Sequence, residues 1–180
     1  MFSFQIEDDL KLVLPTERDA EEIYRVVREN LEELKLWMPW ATDDYSLESA
    51  RVYTRGNLSE FATTGSFSAS VVYQEKIVGA IGFHHLDMTN KSAHLGYWLA
   101  KAAQGKGLMT KCNRVLIDYL FDEMQLNRVQ INCNVENIKS RAIPERLGFK
   151  LEGIHQQAKF ENNRFTDWAI YAMLAEEWGK

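Results

Sequence analysis

The segment Gln104-Gly105-Lys106-Gly107-Leu108-Met109-Thr110 constrains the fold of this chain more than any other. Before it, Ala93, Leu95, Tyr97 and Leu99 alternate with His94, Gly96 and Trp98, the period of a strand. After it, Leu108, Met109, Cys112, Val115, Leu116, Tyr119 and Leu120 recur at helical spacing, and residues 129–133 read as another strand. Strand, glycine turn, helix and strand in that order imply a parallel pair joined by a right-handed crossover. The first N–H groups of such a helix have no intrahelical partner, and its dipole favours an anion there. Glycines let the backbone approach a ligand closely, Lys106 and Lys111 bring charge, and Thr110 brings a hydroxyl; a pyrophosphate suits the turn. A Walker loop would need Ser or Thr after Lys106, where Gly107 stands, and a dinucleotide fingerprint would need glycine in place of Thr110.

The remainder predicts an α/β or α+β domain. Lys11-Leu12-Val13-Leu14 reads as a strand closed by Pro15. Thr16 with Asp19 starts a helix whose buried face is Ala20, Ile23, Val26, Val27, Leu31 and Leu34. Ser46 starts a second helix that ends near Gly65, with Gly56 as a weak point. Strands are expected over 67–73, 77–83, 92–99, 129–133, 149–155 and 166–174, and a helix over 138–147, closed by Gly148. No repeat, low-complexity tract or linker divides the 180 residues, so one domain spanning 1–180 is expected. A formal net charge of −5 is a poor footprint for nucleic-acid binding. No apolar run reaches the ~20 residues of a membrane span. The opening run from Met1 is acidic where a signal peptide would be basic, which points to the cytoplasm. Cys112 and Cys133 read as buried hydrophobes of a reducing compartment.

Three motifs occur together: Gly96-Tyr97-Trp98, the Gln-Gly-Lys-Gly turn, and the run from Asn137 through Ser140 to Gly148-Phe149. In this combination the sequence resembles the GNAT superfamily of acetyl-CoA-dependent N-acetyltransferases, and within it the RimJ/RimL branch, whose known members acetylate protein N-termini. The resemblance runs from about Leu10 to about Trp178. It implies a central mixed, mostly antiparallel sheet with a splayed parallel strand pair and helices on both faces. It implies that Tyr97, Trp98 and Leu99 pair with the pantetheine arm of acetyl-CoA. It assigns the pyrophosphate to the amides of Gln104, Gly105, Lys106, Gly107, Leu108, Met109 and Thr110. Asn137 is expected near the pantetheine or acetyl group and Ser140 near the sulfur. No metal is implied, and a homodimer is expected because relatives often form one. Ala102 departs from the Arg or Gln common in the family's long motif. His94 and Lys159 stand where many relatives carry acidic residues, which leaves the general base open.

Transfer requires a neutral amine, a polarised carbonyl and a stabilised thiolate. Positioning alone supplies about 7–11 kcal/mol of such a barrier. Backbone N–H groups near Leu99 are the expected donors to the carbonyl oxygen. An α-amine, with pKa about 7.7–8.0, costs only about 1 kcal/mol to deprotonate near pH 7, whereas a lysine amine at about 10.4 costs nearly 5 kcal/mol. A site lacking an obvious carboxylate base therefore suits an α-amine. His94 is the titratable candidate on the acceptor face, with His84 and His85 at the end of the preceding strand. Glu161 is a second candidate base, and Ser140 a donor to the departing thiolate. Trp37, Met38 and Trp40 are candidates for an acceptor wall, and Asp43 and Asp44 for attracting a cationic terminus. The favoured acceptor is the α-amine of a protein N-terminus, ribosomal proteins included. A small-molecule amine such as a polyamine, toxin or antibiotic is the alternative, and a silent acyl-CoA-binding sensor is the rival of another class.

Overall fold

The structure, a computed structural model, describes residues 3–179, so Met1 and Phe2 of the acidic opening run lie outside it. Eight strands share one mixed sheet: β1 (Ser3–Glu7), β2 (Leu10–Val13), β3 (Ser68–Tyr73), β4 (Lys76–Asp87), β5 (Ser92–Leu99), β6 (Arg128–Asn134), β7 (Lys150–Glu161) and β8 (Arg164–Leu174). Five α-helices accompany them: α1 (Ala20–Glu29), α2 (Leu31–Leu34), α3 (Leu47–Thr64), α4 (Leu108–Asp118) and α5 (Ile138–Arg146). The hydrogen-bonded strand order is β1-β2-β3-β4-β5-β6-β8-β7. The β5–β6 pair is parallel, as the strand–turn–helix–strand order requires, and the β1–β2, β2–β3, β3–β4, β6–β8 and β7–β8 pairs are antiparallel. The parallel ladder runs from Ser92↔Arg128 to Leu95↔Ile131, while β5 continues to Leu99 and β6 to Asn134.

The chain divides into two compact units. Among the described residues, one comprises 3–82 and Tyr97–Cys112, the other Phe83–Gly96 and 113–179. The first is built on α1, whose Ala20, Ile23, Val26 and Val27 are buried together with Leu31, Leu34, Ala50, Ile77 and Ala100. Each large aliphatic chain so buried is worth about 1.5–3 kcal/mol. The helix expected to run unbroken to Leu34 stops at Asn30. There the side-chain amide donates to Val26 O (2.8 Å), while its Oδ1 accepts from the Lys101 N–H (2.8 Å). Asn30 thus ends α1 and fastens the segment that follows β5. Helix α3 runs through Gly56 without a break, between a Ser46 cap and Gly65.

The second unit is centred on β6 and β8. Val129, Ile131 and Cys133 are buried on β6, and Ala169 to Met173 form a continuous buried run on β8. The β7–β8 hairpin is longer than the sequence suggests. Its turn, Asn162-Asn163, has φ of 51° and 60°, the left-handed pair of a type I′ connection. That polar pair, with the exposed residues of β7, carries no alternating signal, which is why the strands beyond 155 and before 166 escape a periodicity reading. Strand β1 escapes for the same reason, since four of its five residues are exposed. Among the described residues no helix is long and apolar enough to cross a membrane.

Candidate active site

In the first unit, the glycine turn is held from beneath by Gln104. Its side-chain amide donates to the Leu99 carbonyl (3.0 Å) and to Glu33 Oε1 (3.2 Å), and its backbone N–H donates to Lys101 O (3.2 Å). The Gln104 side chain therefore ties the turn to the end of β5, while its backbone N–H, the group expected to touch pyrophosphate, is bonded to Lys101 O. Gly105 and Gly107 have φ of +77° and +75°, a backbone region where any L side chain is strained, and open space surrounds both. Gly107 O accepts the Lys111 N–H (3.1 Å), so Gly107 caps α4 and Leu108, Met109 and Thr110 form its first turn. Leu108 and Met109 bury their side chains, which leaves the turn itself, 105–107, exposed.

The charges at this turn are not equivalent. Lys111 pairs with Glu7 (2.6 Å), a bond that raises its pKa, whereas the Lys106 ammonium lies over the Tyr73 ring at 5.1 Å. Of the two lysines the sequence offers at this turn, Lys111 is thus ion-paired and Lys106 is stacked on an aromatic ring. Just past β5, the Ala100 N–H is taken by Val78 O (2.7 Å), so of the N–H groups around Leu99 this one is already committed. Trp98 packs against Trp40 at 6.0 Å between ring centroids, and Trp40, 43% exposed, also meets Tyr45 at 5.9 Å. Met38 packs on the α1 core, and Asp43 accepts from Lys35 (2.6 Å).

In the second unit, Asn137 caps α5, its Oδ1 accepting the Ser140 N–H (3.1 Å). The Ser140 side chain hydrogen-bonds Cys133 on β6. Burial pushes the Cys133 thiol up to about 11, against the opposing pull of that hydrogen bond. Arg141 braces the same helix: its Nε donates to Tyr171 Oη (3.0 Å) and a terminal nitrogen to Val135 O (3.1 Å). Cys133 and Tyr171 as supports of this helix start were not read from the sequence. Cys133 lies a short way before Ser140, at the end of β6, while Tyr171 is brought to the helix only by the strand register.

Glu161 is 9% exposed, and its carboxylate accepts from Asn134 Nδ2 (3.1 Å) and Thr166 Oγ1 (3.1 Å). Asn134 Oδ1 in turn accepts the Glu136 N–H (2.9 Å), so Glu161 anchors the end of β6. The Lys159 ammonium lies over the Trp168 ring at 5.4 Å, and Trp168 Nε1 is buried with no hydrogen-bond partner among the described residues. His94 does not stand alone. His84 and His85 on β4 bring their rings to 5.9 and 5.2 Å from it and 4.9 Å from each other. Partial desolvation of its ring first, then His85, His94 and Lys159, push His84 down to about 4; partial desolvation, then His85 and Arg128, lower His94.

A mixed sheet with a parallel β5–β6 pair and an anion-receptive glycine turn opening α4 defines an acyl-CoA-using transferase. Residues 9–150 match the model of the acetyltransferase (GNAT) domain, and the chain belongs to that family. It is 34% identical to YdaF of Bacillus subtilis (strain 168) over 99% of this chain and 98% of that one. Among solved structures, it is similar to the microcin C7 self-immunity acetyltransferase MccE in complex with acetyl-CoA and AMP, with TM-score 0.90 and 30% identity over 94% of each chain. It is also similar to RimL, the ribosomal L7/L12 alpha-N-protein acetyltransferase, in complex with coenzyme A. There the TM-score is 0.92 and the identity 26%, over 96% of this chain and 98% of RimL. The chain is an acetyl-CoA-dependent N-acetyltransferase of GNAT type.

Proposed function

We propose that residues 1–180 serve one activity, transfer of the acetyl group of acetyl-CoA to the α-amine of a protein N-terminus, with ribosomal proteins as the leading acceptors. The observation that carries this reading is that Glu161 is engaged by Asn134 and Thr166, and that imidazoles stand on the expected acceptor face. With an imidazole rather than a carboxylate as the proposed base, an α-amine that loses its proton for about 1 kcal/mol is a better acceptor than a lysine costing nearly 5 kcal/mol. Similarity to RimL, named for acetylating an α-amine, supports the same reading.

Acetyl-CoA supplies an activated thioester when bound; the remaining work falls to the chain. The Gly105 and Gly107 backbone and the first turn of α4, Leu108 to Thr110, receive the pyrophosphate, with Lys106 as counter-charge. Gln104 holds that turn against Leu99. The backbone of Tyr97, Trp98 and Leu99 pairs with the pantetheine arm, and Asn137 orders the start of α5. Ser140 donates to the departing sulfur. His94 accepts the proton of the attacking ammonium, and Glu161 acts as a positioning residue through Asn134. The Trp37–Trp40 segment forms an acceptor wall.

Release of coenzyme A thiol, followed with a panel of free N-terminal peptides and small amines, tests the proposal. Turnover with N-terminal peptides is the expected result. Turnover confined to small amines would establish the small-molecule reading, and cofactor binding without any turnover would establish a sensor.

A further inference from the structure

We propose that His84, His85 and His94 form a binding site for a divalent cation of the zinc class. One ring nitrogen from each histidine lies within 4.8 Å of the other two, the one such grouping of potential metal ligands found among the described residues. Two features of the backbone bring them together. Consecutive strand residues normally point to opposite faces. His85 instead has φ of +50°, a left-handed conformation uncommon outside glycine, and its ring comes to 4.9 Å from that of His84. On β5, two residues beyond His94, Gly96 leaves the space that the His84 ring uses. A Cβ at Gly96 would stand only 3.3 Å from His84 Cε1.

The donor set selects the ion. Three imidazole nitrogens without a carboxylate or carbonyl suit zinc, cobalt, nickel or copper and not calcium or magnesium, which take oxygen ligands. Zinc at about 2.0–2.1 Å from each nitrogen places tetrahedral ligand atoms about 3.3 Å apart, so the rings must close by about 1.5 Å at most. His84 and His85 are exposed and His94 half-buried, so an ion can enter from solvent and water can complete its coordination. Two cations face the cluster. Arg128, near His94, is held by Glu152 (2.8 Å). Lys159, near His84, has no carboxylate partner among the described residues and is stacked on Trp168. Lys159 therefore opposes the ion, and removing its charge should tighten binding.

A metal on this site would take the His94 lone pair and suppress acetyl transfer. That consequence rests on the reading of His94 as proton acceptor; the binding itself does not. The experiment is titration of tag-free, chelator-stripped protein with cobalt chloride, followed by visible absorption, and with zinc chloride by calorimetry. One equivalent of each ion, with the intense bands of four- or five-coordinate cobalt, is expected. His85→Ala should weaken zinc binding at least about tenfold and His84→Gln likewise, with melting curves confirming that both fold. His155→Ala, outside the cluster, should leave affinity unchanged, and Lys159→Ala should tighten it. Absence of stoichiometric binding, a weak six-coordinate cobalt spectrum, or equal losses in His85→Ala and His155→Ala would overturn the proposal.

Discussion

The side-chain amide of Gln104 donates to the carbonyl oxygen of Leu99 at 3.0 Å, joining the glycine turn to the last residue of β5. The turn proposed to receive pyrophosphate and the strand proposed to receive the pantetheine arm are thereby linked by a neutral hydrogen bond, made by the same amide that reaches Glu33 Oε1. Such a bond contributes about 0.5–1.5 kcal/mol net. Gln104→Ala is therefore expected to raise KM for acetyl-CoA between about threefold and tenfold, with a smaller effect on KM for the acceptor. An unchanged KM for acetyl-CoA, measured by thiol release, would show that the bond does not order the site.

Ser140 is placed by the Asn137 cap and touches Cys133, not solvent alone. If its hydroxyl donates to a departing thiolate, the interaction exists in the transition state and not in the ground state. Ser140→Ala should then lower kcat by about 10- to 100-fold, the worth of a hydrogen bond to a charged group, while KM for acetyl-CoA moves little. A rise in that KM with kcat intact would reassign Ser140 to binding.

Alkaline pH should destabilise the fold. Burial pushes Cys112 up from 9.0 to about 12, Cys133 from 9.0 to about 11 and Tyr45 from 10.0 to about 12. In the unfolded chain these groups ionise at their ordinary values, so from about pH 9 upward the unfolded state holds fewer protons and gains. Stability contributed by keeping them neutral is intact below pH 9 and lost as pH rises towards 11. Urea midpoints measured from neutral pH upward should fall over that window, and Cys112→Ala should flatten the fall. A midpoint independent of pH there would contradict these burial effects.

Much of the fold was legible because its signals are local. Alternation around Leu95, the glycine pair at 105 and 107, and the helical spacing of Ile23, Val26 and Val27 each act over a few residues. Strand β7 was legible only to about residue 155, because an exposed strand ending in Asn162-Asn163 has no buried face to write a period into the sequence. The stop at Asn30 was hidden because it depends on a bond to Lys101, far along the chain. The residues proposed to hold the acyl donor were recognisable as motifs, yet the contacts they make within the chain were not. Gln104 turns out to brace the turn, and Lys111 is engaged with Glu7. The convergence of three histidines was least legible, since it requires a left-handed residue at His85 and the absence of a side chain at Gly96.

The most direct test of α-amine acetylation is a competition within one molecule. A peptide with a free N-terminus and an internal lysine is incubated with the protein and acetyl-CoA near neutral pH, and fragment masses locate the acetyl group. Acetylation at the α-amine, with the lysine untouched at early times, is the expected result. Acetyl groups on the lysine while the α-amine stays free would contradict it.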